Sequence, residues 1–162
     1  MPGVSPAMLG ELVDRHAAAL VLFARQFCRS PEDVVQEAFV QLARQAAAPD
    51  EPPAWLFRVV RNGALSAARG EQRRRKHESA AALRKSHWFL PAEASRIDAQ
   101  WAAEALAEVP LDQREIVVAH LWGGLTFQQI AELTGVSAAT AYRRYEAALQ
   151  ALRARLQKPL TV

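Results

Sequence analysis

The chain has 162 residues, 51% of them hydrophobic, which is enough for one domain or two small ones with a real core. Its 20 Lys and Arg against 17 Asp and Glu leave a net charge of only +3, so the chain as a whole is not a polycation. Met1 to Gly10 lack a basic start followed by an apolar run, and no apolar stretch approaches the roughly 20 residues of a membrane span. The expectation is a cytoplasmic protein with no signal peptide and no membrane insertion.

The charge is unevenly spread: residues 1–51 sum to −3, residues 52–96 to +7 and residues 97–162 to −1. A basic centre between acidic or near-neutral flanks points to one nucleic-acid face and at least one different partner face. Cys28 is the only cysteine. It fits a reducing compartment and reads as a helix core residue. His16, His77, His87 and His120 have no Cys or carboxylate at ligand spacing, so neither a metal site nor another cofactor is expected. No segment alternates with period two for long enough to suggest a sheet, and the fold class expected is all-α.

In chain order, a first helix is predicted over 6–29, with Leu9, Leu12, Val13, His16, Leu20, Phe23 and Phe27 on one apolar stripe. Ser30, Pro31, Glu32 and Asp33 then read as a helix start: a Ser cap, Pro in the first turn, and acids at the positive end of the dipole. That second helix runs to about residue 47. It buries Val34, Val35, Ala38, Phe39 and Leu42 and leaves Asp33, Gln36, Glu37, Gln41 and Arg44 on a polar side. A proline loop follows, and a third helix is predicted over 54–76. Trp55, Leu56, Val59, Val60 and Leu65 give it an apolar face. Arg58, Arg61, Asn62, Arg69, Arg73, Arg74, Arg75 and Lys76 give it a basic one, and Gly63 and Gly70 weaken it.

Residues 79–96 lack a clear period and read as an interdomain linker, partly helical at 80–85. Its Trp88, Phe89 and Leu90 are expected to dock on a domain surface. The domains expected are therefore 1–78 and 97–162. In the second, a helix carries Ile97, Trp101, Ala105, Leu106 and Val109 and stops at Pro110. Asp112 to Glu115 read as a capping box opening a helix through Ile116, Val117, His120 and Leu121, ended by Gly123 and Gly124.

Residues 126–145 spell a helix-turn-helix. Thr126 caps a short helix with Gln129 closing a capping box. Ile130, Ala131 and Leu133 give that helix an apolar side. Gly135 supplies the positive φ that ends it, and Ser137 caps a second helix running to about residue 157. In this motif the front of the second helix enters the DNA major groove. Here that front offers Ser137, Ala138, Thr140, Tyr142, Arg143 and Arg144, of which Tyr142 and Arg143 are assigned to sequence and Thr140 and Arg144 to position. No paired carboxylates, Gly-rich phosphate loop or nucleophile elbow occurs, so no catalytic residue is assigned and an enzyme is not expected.

Two segments together resemble one family. Ser-Pro-Glu-Asp-Val-Val-Gln-Glu-Ala-Phe-Val-Gln-Leu-Ala-Arg (30–44), followed by Trp-Leu-Phe-Arg-Val-Val-Arg-Asn (55–62) and a basic run, resembles region 2 of bacterial RNA polymerase sigma factors. Val-Pro-Leu-Asp-Gln-Arg-Glu-Ile-Val (109–117) and the helix-turn-helix resemble region 4. Two such regions and a short linker are similar to the extracytoplasmic-function class (group 4) of the sigma-70 family. The resemblance implies a subunit that directs core polymerase to a promoter set and helps open its −10 element; the alternative is a stand-alone two-domain helix-turn-helix regulator. It further implies that Asp33, Gln36, Glu37 and Gln41 meet the β′ clamp helices, with the β flap, promoter DNA and an anti-sigma factor as further partners. Asn62 matches the family residue near the pocket for a flipped −10 base, with the loop 46–53 as its other wall. Arg58, Arg61, Arg69 and 73–76 would contact phosphates. Around Tyr142, Glu146 and Ala147 the family often has basic residues, which implies that this chain reads a non-standard −35 sequence.

Overall fold

Ser5 starts the first helix, α1 (Pro6–Arg25): its hydroxyl accepts the Met8 N–H at 3.1 Å and Pro6 occupies the first turn. The computed structural model describes residues 3–76 and 104–157. Expectations that fall on 77–103, among them the linker at 79–96, the docking of Trp88 to Leu90 and the helix start at Ile97, lie outside the described residues. The chain divides into two compact units, Met1–Phe89 and Leu90–Val162. All regular structure among the described residues is helical.

The first unit packs α1, α2 (Pro31–Ala43) and α3 (Pro52–Arg75) against one another. Its core is Leu20, Phe23, Leu42, Leu56, Phe57 and Val60, all buried, with Phe23 and Phe57 edge-to-face at 5.0 Å. Burying each of these side chains contributes about 1.5–3 kcal/mol. Two small residues let the helices approach. Ala64 is fully buried, and a Cβ added at Gly63 would stand 3.1 Å from Val34 Cγ1, so Gly63 marks where α3 crosses α2.

Helix ends differ from the sequence reading in four places. α1 stops at Arg25 rather than 29, because the Gln26 side-chain amide donates to the Leu22 carbonyl at 2.8 Å and takes the place of the next turn. The remaining four residues form a tight link in which Arg29 N–H donates to Glu71 Oε1 at 2.9 Å, tying that link to α3. Ser30 does not cap α2 with its side chain. Burial raises the pKa of the Cys28 thiol, an effect that Ser30 opposes, and Cys28 Sγ lies 3.5 Å from the Ala24 carbonyl. α2 ends at Ala43, four residues before the expected end, and both Pro52 and Pro53 enter the first turn of α3.

In the second unit, residues 104–107 are helical and Ala105, Leu106 and Val109 are buried. The capping box expected at Asp112 to Glu115 does not form. Pro110 is the N-cap of α4 (Leu111–Val117), which moves Asp112 to the second helical position, and no side chain caps that end. Arg114 turns back along the preceding segment, its Nη1 3.4 Å from the carbonyls of Leu106 and Ala107.

The regular helix expected through Leu121 also gives way. Val118–Trp122 form a π-turn, with Gly123 N–H bonded to the Val118 carbonyl. A wider turn rotates its last residues outward, leaving Leu121 and Trp122 52% and 44% exposed. Gly124, at φ 69°, then reverses the chain. α5 (Phe127–Thr134) and α6 (Ala138–Gln157) complete the unit, with Leu125, Ile130, Ala141 and Ala148 buried between elements.

Candidate nucleic-acid and polymerase interfaces

The helix-turn-helix forms as its residues dictate. Gln129 N–H donates to Thr126 Oγ1 at 3.1 Å and Thr126 N–H donates to Gln129 Oε1 at 2.9 Å, the reciprocal box. Gly135, at φ 77°, ends α5 in the left-handed region. Thr140 N–H donates to Ser137 Oγ at 3.1 Å, and the Ser137 hydroxyl donates to Thr140 Oγ1 at 2.9 Å, so these two residues close the start of α6. Arg143 Nη2 donates to the same Thr140 hydroxyl at 3.2 Å. Arg144 Nε lies 3.6 Å from Asp112 Oδ2. Tyr142 is 49% exposed, and Ala141 at its side is buried, which fixes which face of α6 looks outward.

An aromatic cluster that the sequence reading missed stands behind that face. The His120 ring stacks on Phe127 at 4.4 Å with 22° between planes, and Phe127 meets Tyr142 edge-on at 5.4 Å and 83°. Tyr145 closes the group, 4.8 Å from His120 and 5.3 Å from Phe127. The i,i+3 spacing of Tyr142 and Tyr145 was the available signal, since such residues share a helix face. His120 joins them because the π-turn brings its Nδ1 2.8 Å from the Leu125 carbonyl. A carbonyl only accepts, so Nδ1 carries the proton in that contact.

In the first unit the two expected faces separate cleanly. Asp33, Gln36, Glu37 and Gln41 are all exposed on α2, while Val35, Ala38, Phe39 and Leu42 turn inward. On α3 the helical period places Arg58, Asn62, Arg69, Arg73 and Lys76 on one stripe about a quarter-turn wide, and all are exposed. Arg69, Gln72, Arg73 and Lys76 line an open concavity at its end. The structure does not gather the other three arginines there. Arg61 lies half-buried with its guanidinium 5.9 Å from the Phe27 ring. The period carries Arg74 and Arg75 off the stripe, and Arg74 folds back to within 3.7 Å of a Cβ built on Gly70.

An acid-faced helix and a basic helix on one three-helix unit, with a capped helix-turn-helix on a second, define a DNA-binding transcription protein with a second partner surface. Comparisons with known proteins resolve the class. Residues 12–74 match the family model for sigma-70 region 2, and residues 99–152 match that for sigma-70 region 4. The chain is 29% identical over 162 residues to the ECF RNA polymerase sigma factor SigL of Mycobacterium tuberculosis, covering 94% of this chain and 90% of that one. It is 30% identical over 144 residues to the probable RNA polymerase sigma factor RfaY of Xanthomonas campestris, covering 83% of this chain and 36% of that one. The solved structure of CnrH with the cytosolic domain of CnrY is similar in fold, with a TM-score of 0.65 at 27% identity over 96% of this chain and 91% of that one. The sigma factor RpoE of Bartonella quintana, solved with the anti-sigma factor NepR, shares the fold at a TM-score of 0.71 and 24% identity over 96% and 99% of the two chains. The chain belongs to the sigma-70 family of bacterial RNA polymerase sigma factors, in its extracytoplasmic-function class. It acts in transcription initiation, directing core polymerase to promoters. No helix among the described residues is long and apolar enough to cross a membrane.

Proposed function

We propose that the exposed face of α2, Asp33, Gln36, Glu37 and Gln41, binds the β′ clamp helices of core polymerase, and that α3 grips the −10 element. The observation that carries this reading is the separation of the two faces. An acidic surface repels DNA, so its presence beside a basic stripe on the same unit calls for a protein partner. A regulator that only binds duplex DNA has no use for it. On α3, Arg58, Arg69, Arg73 and Lys76 hold phosphates of the non-template strand, which supplies affinity and salt dependence but no sequence choice. Asn62 sits within that stripe with amide donors and an acceptor, suited to hold the edge of one unstacked base against the loop 46–53. In the second unit the front of α6 enters the major groove of the −35 element, and the unit also meets the β flap.

The protein makes and breaks no bonds in this reading; the polymerase does the chemistry, in the cytoplasm where the chromosome lies. The resemblance to the extracytoplasmic-function class further leads us to propose an anti-sigma protein as a partner. Assembly with purified core polymerase tests the central claim. Replacing Asp33→Lys together with Glu37→Lys is expected to weaken holoenzyme formation at least about tenfold, as like-charge and lost-pair effects of a few kcal/mol would, with the helical circular dichroism unchanged. Normal assembly of the double variant would reject the α2 assignment.

A further inference from the structure

The front of α6 is poor in groups that read bases by hydrogen bonds. Its first turn presents Ala138 and Ala139, Thr140 is engaged with Ser137, and Arg143 is engaged with Thr140. Arg143 and Glu146 are exposed as well, and the large apolar side chain that projects is Tyr142, half exposed, with its ring held edge-on by Phe127. Phe127 is in turn stacked on His120, whose Nδ1–H is fixed on the Leu125 carbonyl. Each member removes rotational freedom from the next, so Tyr142 reaches the groove with its ring plane set before DNA arrives. A rigid aromatic edge flanked by alanine methyl groups is matched to one feature of the major groove, the C5-methyl of thymine, the apolar mark that separates T from the other bases.

We propose that Tyr142 reads a thymine methyl in the upstream element and that Phe127, backed by His120, is the positioning residue that makes this readout specific. The inference rests on the proposal that α6 enters the major groove. Preordering matters because a methyl contact is short-ranged: a ring free to swing gives the same contact area to several neighbours and discriminates among none. Burying one such group is worth about fourfold in affinity.

The test uses reconstituted holoenzyme and duplexes enriched by it from a library randomised in the upstream segment. Each thymine of the enriched upstream sequence is then replaced singly by deoxyuridine, which removes the methyl and nothing else. The parent protein is expected to show one position where this costs about fourfold. Tyr142→Phe keeps the ring and is expected to keep that penalty. Tyr142→Ala and Phe127→Leu are expected to lose it, with upstream protection and salt dependence retained, whereas simple damage to the fold would remove protection as well. Phe127→Tyr restores an aromatic neighbour and is expected to restore the penalty. Absence of upstream protection by the parent would reject groove entry itself. Protection with no methyl-sensitive thymine would reject the readout alone. A full penalty retained in Phe127→Leu would reject the positioning role, and a penalty lost in Tyr142→Phe would assign the contact to the hydroxyl.

Discussion

Arg144, one turn into α6, lies 3.6 Å from the carboxylate of Asp112 in the first turn of α4. The pair is solvent-accessible, at 34% and 54% side-chain exposure, and such pairs are worth about 0–1 kcal/mol. On the proposed reading of α6 as the groove helix, a DNA phosphate competes for Arg144 at small cost, but Asp112 also brings a negative charge close to the site where that phosphate would sit.

Neutralising the acid is expected to strengthen upstream binding without changing its sequence. Asp112→Asn removes the competitor and the repulsion together. Holoenzyme carrying it is expected to bind all promoters about twofold to fivefold more tightly at low salt, with a slope of log affinity against log salt steeper by up to about one. Arg144→Ala is expected to weaken all promoters alike and to erase the effect of Asp112→Asn. If Asp112→Asn still strengthens binding in the Arg144→Ala background, the pair is not the cause.

Asn62 lies in the middle of the α3 stripe, exposed, with Val60 and Ala64 buried on the opposite side. Its truncation removes exposed hydrogen-bonding groups but no buried packing, so the fold is expected to tolerate Asn62→Ala. The loss is expected to fall on strand opening: open-complex formation drops by about fivefold or more, the worth of one or more hydrogen bonds to an unstacked base. Closed-complex binding changes little. Permanganate reactivity of the −10 thymines, read beside a gel-shift titration, separates the two. A defect confined to the closed complex would remove Asn62 from the pocket.

At the crossing of α2 and α3, Gly63 leaves room that Val34 fills. Gly63→Leu is expected to cost about 1–3 kcal/mol by overpacking, although leucine is the better helix former by itself. Val34→Ala in the same chain is expected to recover part of that loss, since it vacates the contact. Denaturant titration of the four members of this cycle gives the coupling. Additive losses would mean that the two positions do not share the contact.

The region 2 and region 4 architecture was legible because it rests on local signals. Thr126 with Gln129, Gly135 and Ser137 each act within a few residues, and all behave as the sequence predicts. The failures are at sites where a distant group outbids the local one. Asp112 looks like the start of a box but meets Arg144, thirty-two positions away. The basic face read from the sequence of the third helix includes Arg61, Arg74 and Arg75. Helical period and the Phe27 ring separate them. The His120–Phe127–Tyr142 stack was hidden because it depends on a π-turn, which no propensity marks.

His16, on α1, is half-buried, and loss of solvent lowers its pKa from the ordinary histidine value, with the nearby positive charge of Arg15 adding to the effect. The sign of the consequence follows from which state binds the proton. The unfolded chain takes up a proton at His16 as pH falls through about 6.5, while the folded protein resists it. Stability from this residue is therefore complete above about pH 7 and declines as pH drops below about 6.5, levelling off once the folded form also protonates. His16→Gln removes the titrating group and keeps a polar side chain. The urea midpoint of the first unit, followed by helical circular dichroism at pH 7.5 and pH 5.5, is expected to fall more for the parent than for His16→Gln. Carboxylates titrate in both proteins, so the difference between them isolates the histidine. Equal falls in the two proteins would show that His16 protonates as readily in the folded state as in the unfolded one, and its burial would then carry no acid sensitivity.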